Sequence, residues 1–281
     1  MNRVLSNMLT LLILTATNCY SQNFEPLALA KRIFGKDSLT DINKYITGEY
    51  QGRPNGQDLP EGATTKFIVL DQANNKAVVA MTILDSSGTG LDTYLHFVKD
   101  TVWKMTAFRS LAMTGIIEQV KDELEKLTPQ QIDEMIKSAN KKGEEEPMFS
   151  SKEDYEFELG NARLTLELDD QIIRHFLKNR NEFERIKDSI MNEIQKTKAD
   201  EERNAAVGEN LKTDYRKLFI SSVSIGGYEF PNSINFLIGG ILDNSVGYIY
   251  VKDKKDLPEM NPERIIMIRE IGNGWYMYKT T

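Results

Sequence analysis

Between residues 65 and 108 the chain breaks into four short strand-like runs of β-branched and aromatic residues. The runs Thr65–Asp71, Lys76–Leu84, Asp92–Val98 and Val102–Phe108 are rich in Val, Ile, Tyr, Phe and Thr. These side chains suit a pleated, half-buried surface, so each run predicts a strand. Asn74-Asn75, Ser86 to Gly90 and Lys99-Asp100-Thr101 separate them. Connections this short set consecutive strands side by side and antiparallel, which predicts a four-stranded meander. A second set of such runs closes the chain: Ser233–Leu242, Val246–Lys252, Arg264–Ile271 and Trp275–Thr281. Asp243-Asn244 and Gly272-Asn273-Gly274 are its tight turns.

Elsewhere the period is helical. Pro26–Phe34 ends at Gly35, a residue suited to a left-handed cap, and Leu39–Ile46 ends at Gly48. The glycines at 48, 52, 56 and 62 and the prolines at 54 and 60 then make a loop. Thr114–Leu127 carries one apolar stripe at 116, 117, 120, 124 and 127. Thr128-Pro129-Gln130-Gln131 is an N-cap with proline in the first turn, opening a helix through Ile132, Met135, Ile136 and Ala139. Arg163–Leu168 alternates over too short a span to choose an element. Asp169-Asp170 then caps a long amphipathic helix to about Lys198, with Ile172, Ile173, Phe176, Phe183, Ile186, Ile190 and Ile194 as its stripe. Tyr215–Ser222 predicts a short helix.

The expected fold is α+β with two domains, each of helices packed on a four-stranded antiparallel meander. The first domain covers 22–140, the second 152–281. The stretch 141–151, with Glu144-Glu145-Glu146-Pro147, is the linker. Each half ends its strand run with one of the chain's two tryptophans near the start of the last strand, Trp103 and Trp275. That rhyme fits a structural duplication, or two unrelated hairpins that open on an aromatic.

Residues 1–21 read as a cleavable signal peptide: Arg3 is the basic region, Met8 to Ala16 an apolar run too short to span a bilayer, and small and polar residues lead to Ser21. Lipid attachment at Cys19 competes, but Asn18 beside it is too bulky to fit well. Cleavage removes Cys19, the chain's only cysteine. The remainder then has no disulfide, thiol nucleophile or thiolate metal site. It offers no later apolar stretch long enough for a membrane span, so no membrane insertion is expected.

The first half, helices before a curled meander that ends in Trp103-Lys104-Met105, resembles the cystatin-like and nuclear-transport-factor-like cone folds over about residues 24–112. The second half carries Asp169-Asp170, Ile173, His175-Phe176, Asn179, Phe183 and Ile186, then Tyr215-Arg216, Gly247-Tyr248-Ile249-Tyr250 and Gly274-Trp275-Tyr276. Over about residues 160–281 it is similar to a family of uncharacterised exported bacterial proteins. The Ser21-Gln22 junction looks like that of exported Bacteroidetes proteins. The resemblance implies architecture and export to the periplasm or medium, and brings no activity with it.

Charge and chemistry narrow the function further. The net charge is −7 at pH 7, and losing the one basic residue of the signal peptide makes it more negative. Such a chain is a poor partner for nucleic acid or anionic lipid surfaces. No phosphate loop, His-Glu-x-x-His or Gly-x-Ser-x-Gly occurs, and Gly88-Thr89-Gly90 reads as a hairpin turn. Two histidines cannot build a three-His zinc site. No cofactor, metal site or catalytic residue is therefore assigned. The candidate pocket is Tyr94, His96 and Trp103, on the view that one face of a cone-shaped sheet lines a cavity where a neutral imidazole accepts a proton. His175 sits on the shoulder of its helix stripe. The leading expectation is an exported, non-enzymatic protein that binds a protein partner or a small apolar ligand. The alternative is a hydrolase or isomerase working around His96.

Overall fold

The computed structural model describes residues 24–37, 39–142, 147–196 and 210–281. The expected signal peptide, with Arg3 and Cys19, lies outside them, as do the acidic residues of the expected linker. The molecule is α+β: helices and two antiparallel sheets, of four and five strands. No helix of the described residues is long and apolar enough to cross a membrane.

The first sheet is the expected meander, β1 (Thr64–Gln72), β2 (Lys76–Leu84), β3 (Gly90–Lys99) and β4 (Trp103–Arg109), in sequential order. Gly88-Thr89-Gly90 lies at the β2–β3 hairpin, where Asp85 Oδ1 accepts from the backbone N–H of Ser87 (2.8 Å) and Thr89 (3.0 Å). One face of the sheet presents Ala77, Val79, Met81, Leu95, Phe97, Trp103 and Met105. Leu29, Ala30 and Ile33 of α1 (Pro26–Ile33) cover it, with Phe34, Tyr45 and Tyr50. The outer edge of β4 is occupied too, since Thr47 N donates to the Met105 carbonyl (2.9 Å) and Tyr50 N to that of Thr106 (3.0 Å).

Among the described residues, four helices follow α2 (Thr114–Glu125) and α3 (Pro129–Lys142): α4 (Lys152–Leu166), α5 (Asp169–Lys178), α6 (Arg180–Lys196) and α7 (Lys212–Arg216). The α3 capping box forms as its sequence requires, with Gln131 N donating to Thr128 Oγ1 (3.3 Å) and Thr128 N to Gln131 Oε1 (2.8 Å). The alternating stretch 163–168 proves to be mostly the end of α4. Ser151 Oγ caps that helix by accepting from Asp154 N (3.0 Å). A Cβ on Gly160 would lie 2.2 Å from the Phe219 ring, so α4 requires glycine where it packs against that ring.

The expected long helix from Asp169 to Lys198 is two helices. Asn179 ends α5: its Nδ2 donates to the His175 carbonyl (2.9 Å), and its own carbonyl starts α6 by accepting from Glu182 N (3.0 Å). The expected linker is also partly structured, because α3 runs through Lys142 and Phe149 is buried edge-on to Tyr155.

The second sheet corrects the second expected meander. It has five strands, β5 (Ser222–Ile225), β6 (Ser233–Ile241), β7 (Asn244–Val251), β8 (Ile265–Gly272) and β9 (Trp275–Thr280), in the order β5-β6-β7-β9-β8. The short helix expected at 215–222 ends at Arg216, and Val223 and Ile225 alternate with serines as strand β5. Because β9 inserts between β7 and β8, the two sheets differ in strand order. Trp103 heads an edge strand and Trp275 an internal one, so their rhyme does not extend to topology.

The halves share one core. Phe236, Ile238, Val246, Tyr248, Trp275 and Met277 of the second sheet pack on Ile172, Phe176, Phe183, Ile186 and Ile190 of α5 and α6. The same cluster takes in Val78, Ala80 and Tyr94 from the other face of the first sheet. Strands β2 and β3 are thus covered on both sides, which explains the continuously buried run Ala77–Met81.

Candidate functional site

Alternation along β3 sends Tyr94 and His96 to the face that meets the second half, and Leu95 and Phe97 to the α1 side. Trp103 pairs with Lys99 across the β3–β4 ladder and joins the α1 side. The structure therefore brings Tyr94 and His96 together and places Trp103 on the opposite face. Tyr94 is fully buried, and its hydroxyl donates to both oxygens of Asp169 (2.9 and 3.0 Å). His96 is 4% exposed, and its Nε2 has no hydrogen-bond partner among the described residues. The α1 side is filled by packed side chains, leaving Trp103 2% exposed with its indole N–H likewise unpartnered among the described residues. His175 is half-buried, and its Nε2 lies 3.1 Å from the Leu218 carbonyl.

Burial, and then the positive charge of Arg109, push the His96 imidazole down to about 4, against a bond to the Ile266 backbone. The folded state thus refuses a proton that the unfolded chain accepts near pH 6.5. Stability held above that pH is lost as pH falls through about 6.5 toward about 4, by up to about 3 kcal/mol. Denaturant titrations of the parent and of His96→Gln across this window should show the parent losing more stability by that amount. Equal pH slopes would mean that His96 takes up its proton freely in the fold.

The sequence reading missed a buried ionic cluster. Asp92, Asp169 and Lys279 are each at most 5% exposed. Lys279 Nζ lies 2.8 Å from Asp169 Oδ1, Asp169 N donates to Asp92 Oδ2 (2.6 Å), and Thr82 Oγ1 donates to Asp92 Oδ1 (2.5 Å). Burial first, then the charge of Asp169, raise the Asp92 carboxyl above its ordinary value, against Lys279, Thr82 and the Asp169 N–H. Next along α5, Asp170 takes Lys66 of β1 (2.6 Å) and Arg269 of β8 (2.8 Å). The first turn of α5 therefore ties both sheets together. A cavity of about 40 Å³ borders Asp92 and Lys279, space for a few waters and none for a substrate. The cluster is a structural fastening.

A larger cavity opens between the two sheets. It encloses about 390 Å³ between the β1–β2 hairpin and the segment 254–260, with β8 and β9 behind. Its floor is apolar: Leu70, Val78, Leu257, Met260, Ile268 and Tyr276. Its rim is charged: Asp71, Lys76, Lys254, Glu259 and Glu270. Lys76 and Glu259 close an ion pair across the rim (2.7 Å), and Lys254 lies 3.4 Å from Glu270.

No protein-family model, curated protein or solved structure matches this chain.

Two other concavities, one of them about 750 Å³, are not built from both sheets. One, along α4 and α7, is lined by Asp154, Phe157 and Arg216. Arg216 there is already engaged, 3.0 Å from Asp154 and stacked 3.6 Å over the Phe157 ring. The other, beside Arg163, Arg174 and Lys178, is the most open of the three. Of the described concavities, the cleft between the sheets alone joins an apolar floor built from both halves to a charged rim. The pattern of small-molecule sites is concave, apolar and placed where two units of structure meet.

Proposed function

We propose that the protein is an exported, non-enzymatic binding protein whose cleft between the two sheets holds a small, mainly apolar ligand. The carrying observation is the cleft itself, about 390 Å³ with an apolar floor and charged rim, within the size range of small-molecule sites. Export rests on Arg3 and the Met8–Ala16 stretch, in keeping with the resemblance of residues 160–281 to exported bacterial proteins. The division into units 22–140 and 152–281 rests on the Glu- and Pro-containing joint at 141–151.

Titration with the neutral apolar dye N-phenyl-1-naphthylamine tests the binding reading. The protein should bind it saturably, at one molecule per chain. Ala73 is an exposed residue lining the cleft, so Ala73→Trp should place an indole in the binding space at little cost to folding. The variant is expected to lose at least about tenfold in dye affinity, the effect of roughly 1.4 kcal/mol. Unchanged affinity in a folded variant would place the dye elsewhere and overturn the assignment of the cleft.

A further inference from the structure

The lining of the cleft contains one irregularity that regular strand geometry does not account for. In the β1–β2 ladder Val69 pairs with Val79 and Asp71 pairs with Val78, so Leu70 is an extra residue, a bulge. Directly paired residues share a face of a sheet. Regular alternation from Val69 would send Asp71 to the α1 side of the sheet. The bulge re-aims it to the side of Val78, so that Leu70 and Asp71, neighbours in sequence, both line the cleft.

The re-aimed carboxylate differs from the other charges around it. Lys76 is paired with Glu259 and Lys254 with Glu270, whereas Asp71 has no hydrogen-bond or ion-pair partner among the described residues. Across the cleft the Tyr276 ring, 5% exposed, lines the same cavity, and its hydroxyl makes no hydrogen bond to a described residue. An unpaired carboxylate at the edge of an apolar floor binds a cation through a charge-assisted hydrogen bond. Lysine donors in the rim are already engaged by carboxylates, which leaves an anionic ligand without a free counter-charge.

We propose that the cleft takes an apolar molecule bearing one protonated amine, with the alkyl or aryl body on the Leu257, Met260 and Ile268 floor and the ammonium on Asp71. This inference rests on the cleft reading and adds the chemical class of the ligand.

The test is displacement of N-phenyl-1-naphthylamine by three probes of one chain length, decylamine, decanol and decanoate, each below its aggregation concentration. Decylamine should displace the dye at about tenfold lower concentration than decanol, the effect of one charge-assisted hydrogen bond at a partly exposed position. Decanoate should be the weakest. In Asp71→Asn the decylamine advantage should fall to within about twofold while decanol is unchanged. A decylamine advantage that survives Asp71→Asn, or that never appears although dye and decanol bind, overturns the ligand class and leaves the cleft standing. Absence of dye binding overturns both.

Discussion

Lys279→Ala is expected to cost about 3–5 kcal/mol of folding stability at neutral pH, the penalty of removing one partner from a buried ion pair. Lys279 and Asp169 are 5% and 3% exposed at their side chains, with 2.8 Å between Nζ and Oδ1. Surface pairs contribute far less, commonly under about 1 kcal/mol, because water substitutes for the lost partner. Here the space beside the pair is only about 40 Å³, room for a few waters, and truncation leaves two carboxylates, Asp92 and Asp169, joined through the Asp169 backbone N–H without the Lys279 ammonium. The double variant Lys279→Met with Asp169→Asn removes both charges together. It should be clearly less damaging than the two single costs added, because residues in one ionic network do not act additively. Urea denaturation of Lys279→Ala, Lys279→Met, Asp169→Asn and the double variant decides the matter. A loss below about 1 kcal/mol for Lys279→Ala would show that the cluster is solvated and does not fasten the two sheets.

The contrast between this cluster and the strands explains what the amino-acid order discloses. A strand advertises itself locally, because a short run of β-branched and aromatic residues between turn signals, such as Lys76–Leu84 or Trp275–Thr280, is visible without its partners, and the eight strand runs expected all occur. Short turns between β1, β2, β3 and β4 settled their neighbours as well. The second sheet has no such rule for β8 and β9: a hairpin fixes that they pair, and leaves open which of them lies against β7. Strand β5 was hidden for another reason. Four residues, Ser222–Ile225, give too few alternations to outweigh the helical reading of the aromatic stretch before them.

Sites suffer most, since they depend on separations that no local pattern carries. Asp169 meets Asp92 across 77 positions and Lys279 across 110. Read alone, Asp169-Asp170 is an ordinary pair of acids at a helix start, which is also what it is in α5. Nothing in its residue type reports that one carboxylate points into the core and the other into a surface bridge. The bulge at Leu70 is equally silent, because an inserted residue in a ladder needs no glycine or proline to mark it. His96 shows the converse. A lone histidine in a strand drew attention as a proton acceptor, and its surroundings make it a neutral, enclosed side chain.

Trp275→Ala is expected to cost about 3–5 kcal/mol, the range for a large aromatic removed from a packed core. The indole is fully buried at the head of β9, an internal strand, so it is held by neighbours on both sides despite standing six residues from the chain end. Its ring centroid lies 4.9 Å from Phe176, 5.2 Å from Phe236 and 5.4 Å from Tyr250. Those contacts join α5 to β6 and β7, so truncation opens a cavity at the junction of a helix and two strands. The indole N–H also donates to Glu184 Oε1 (2.9 Å), whose other oxygen is 2.6 Å from Lys187 Nζ. Trp275→Phe separates the two contributions. It keeps most of the ring packing and loses the hydrogen bond to Glu184, so it should cost about 1–3 kcal/mol, less than alanine. Chemical denaturation of both variants at neutral pH reads the difference. A Trp275→Ala loss below about 0.5 kcal/mol, the level of an exposed position, would place the side chain in solvent. A phenylalanine variant as damaging as alanine would assign the whole effect to the Glu184 bond and none to the ring.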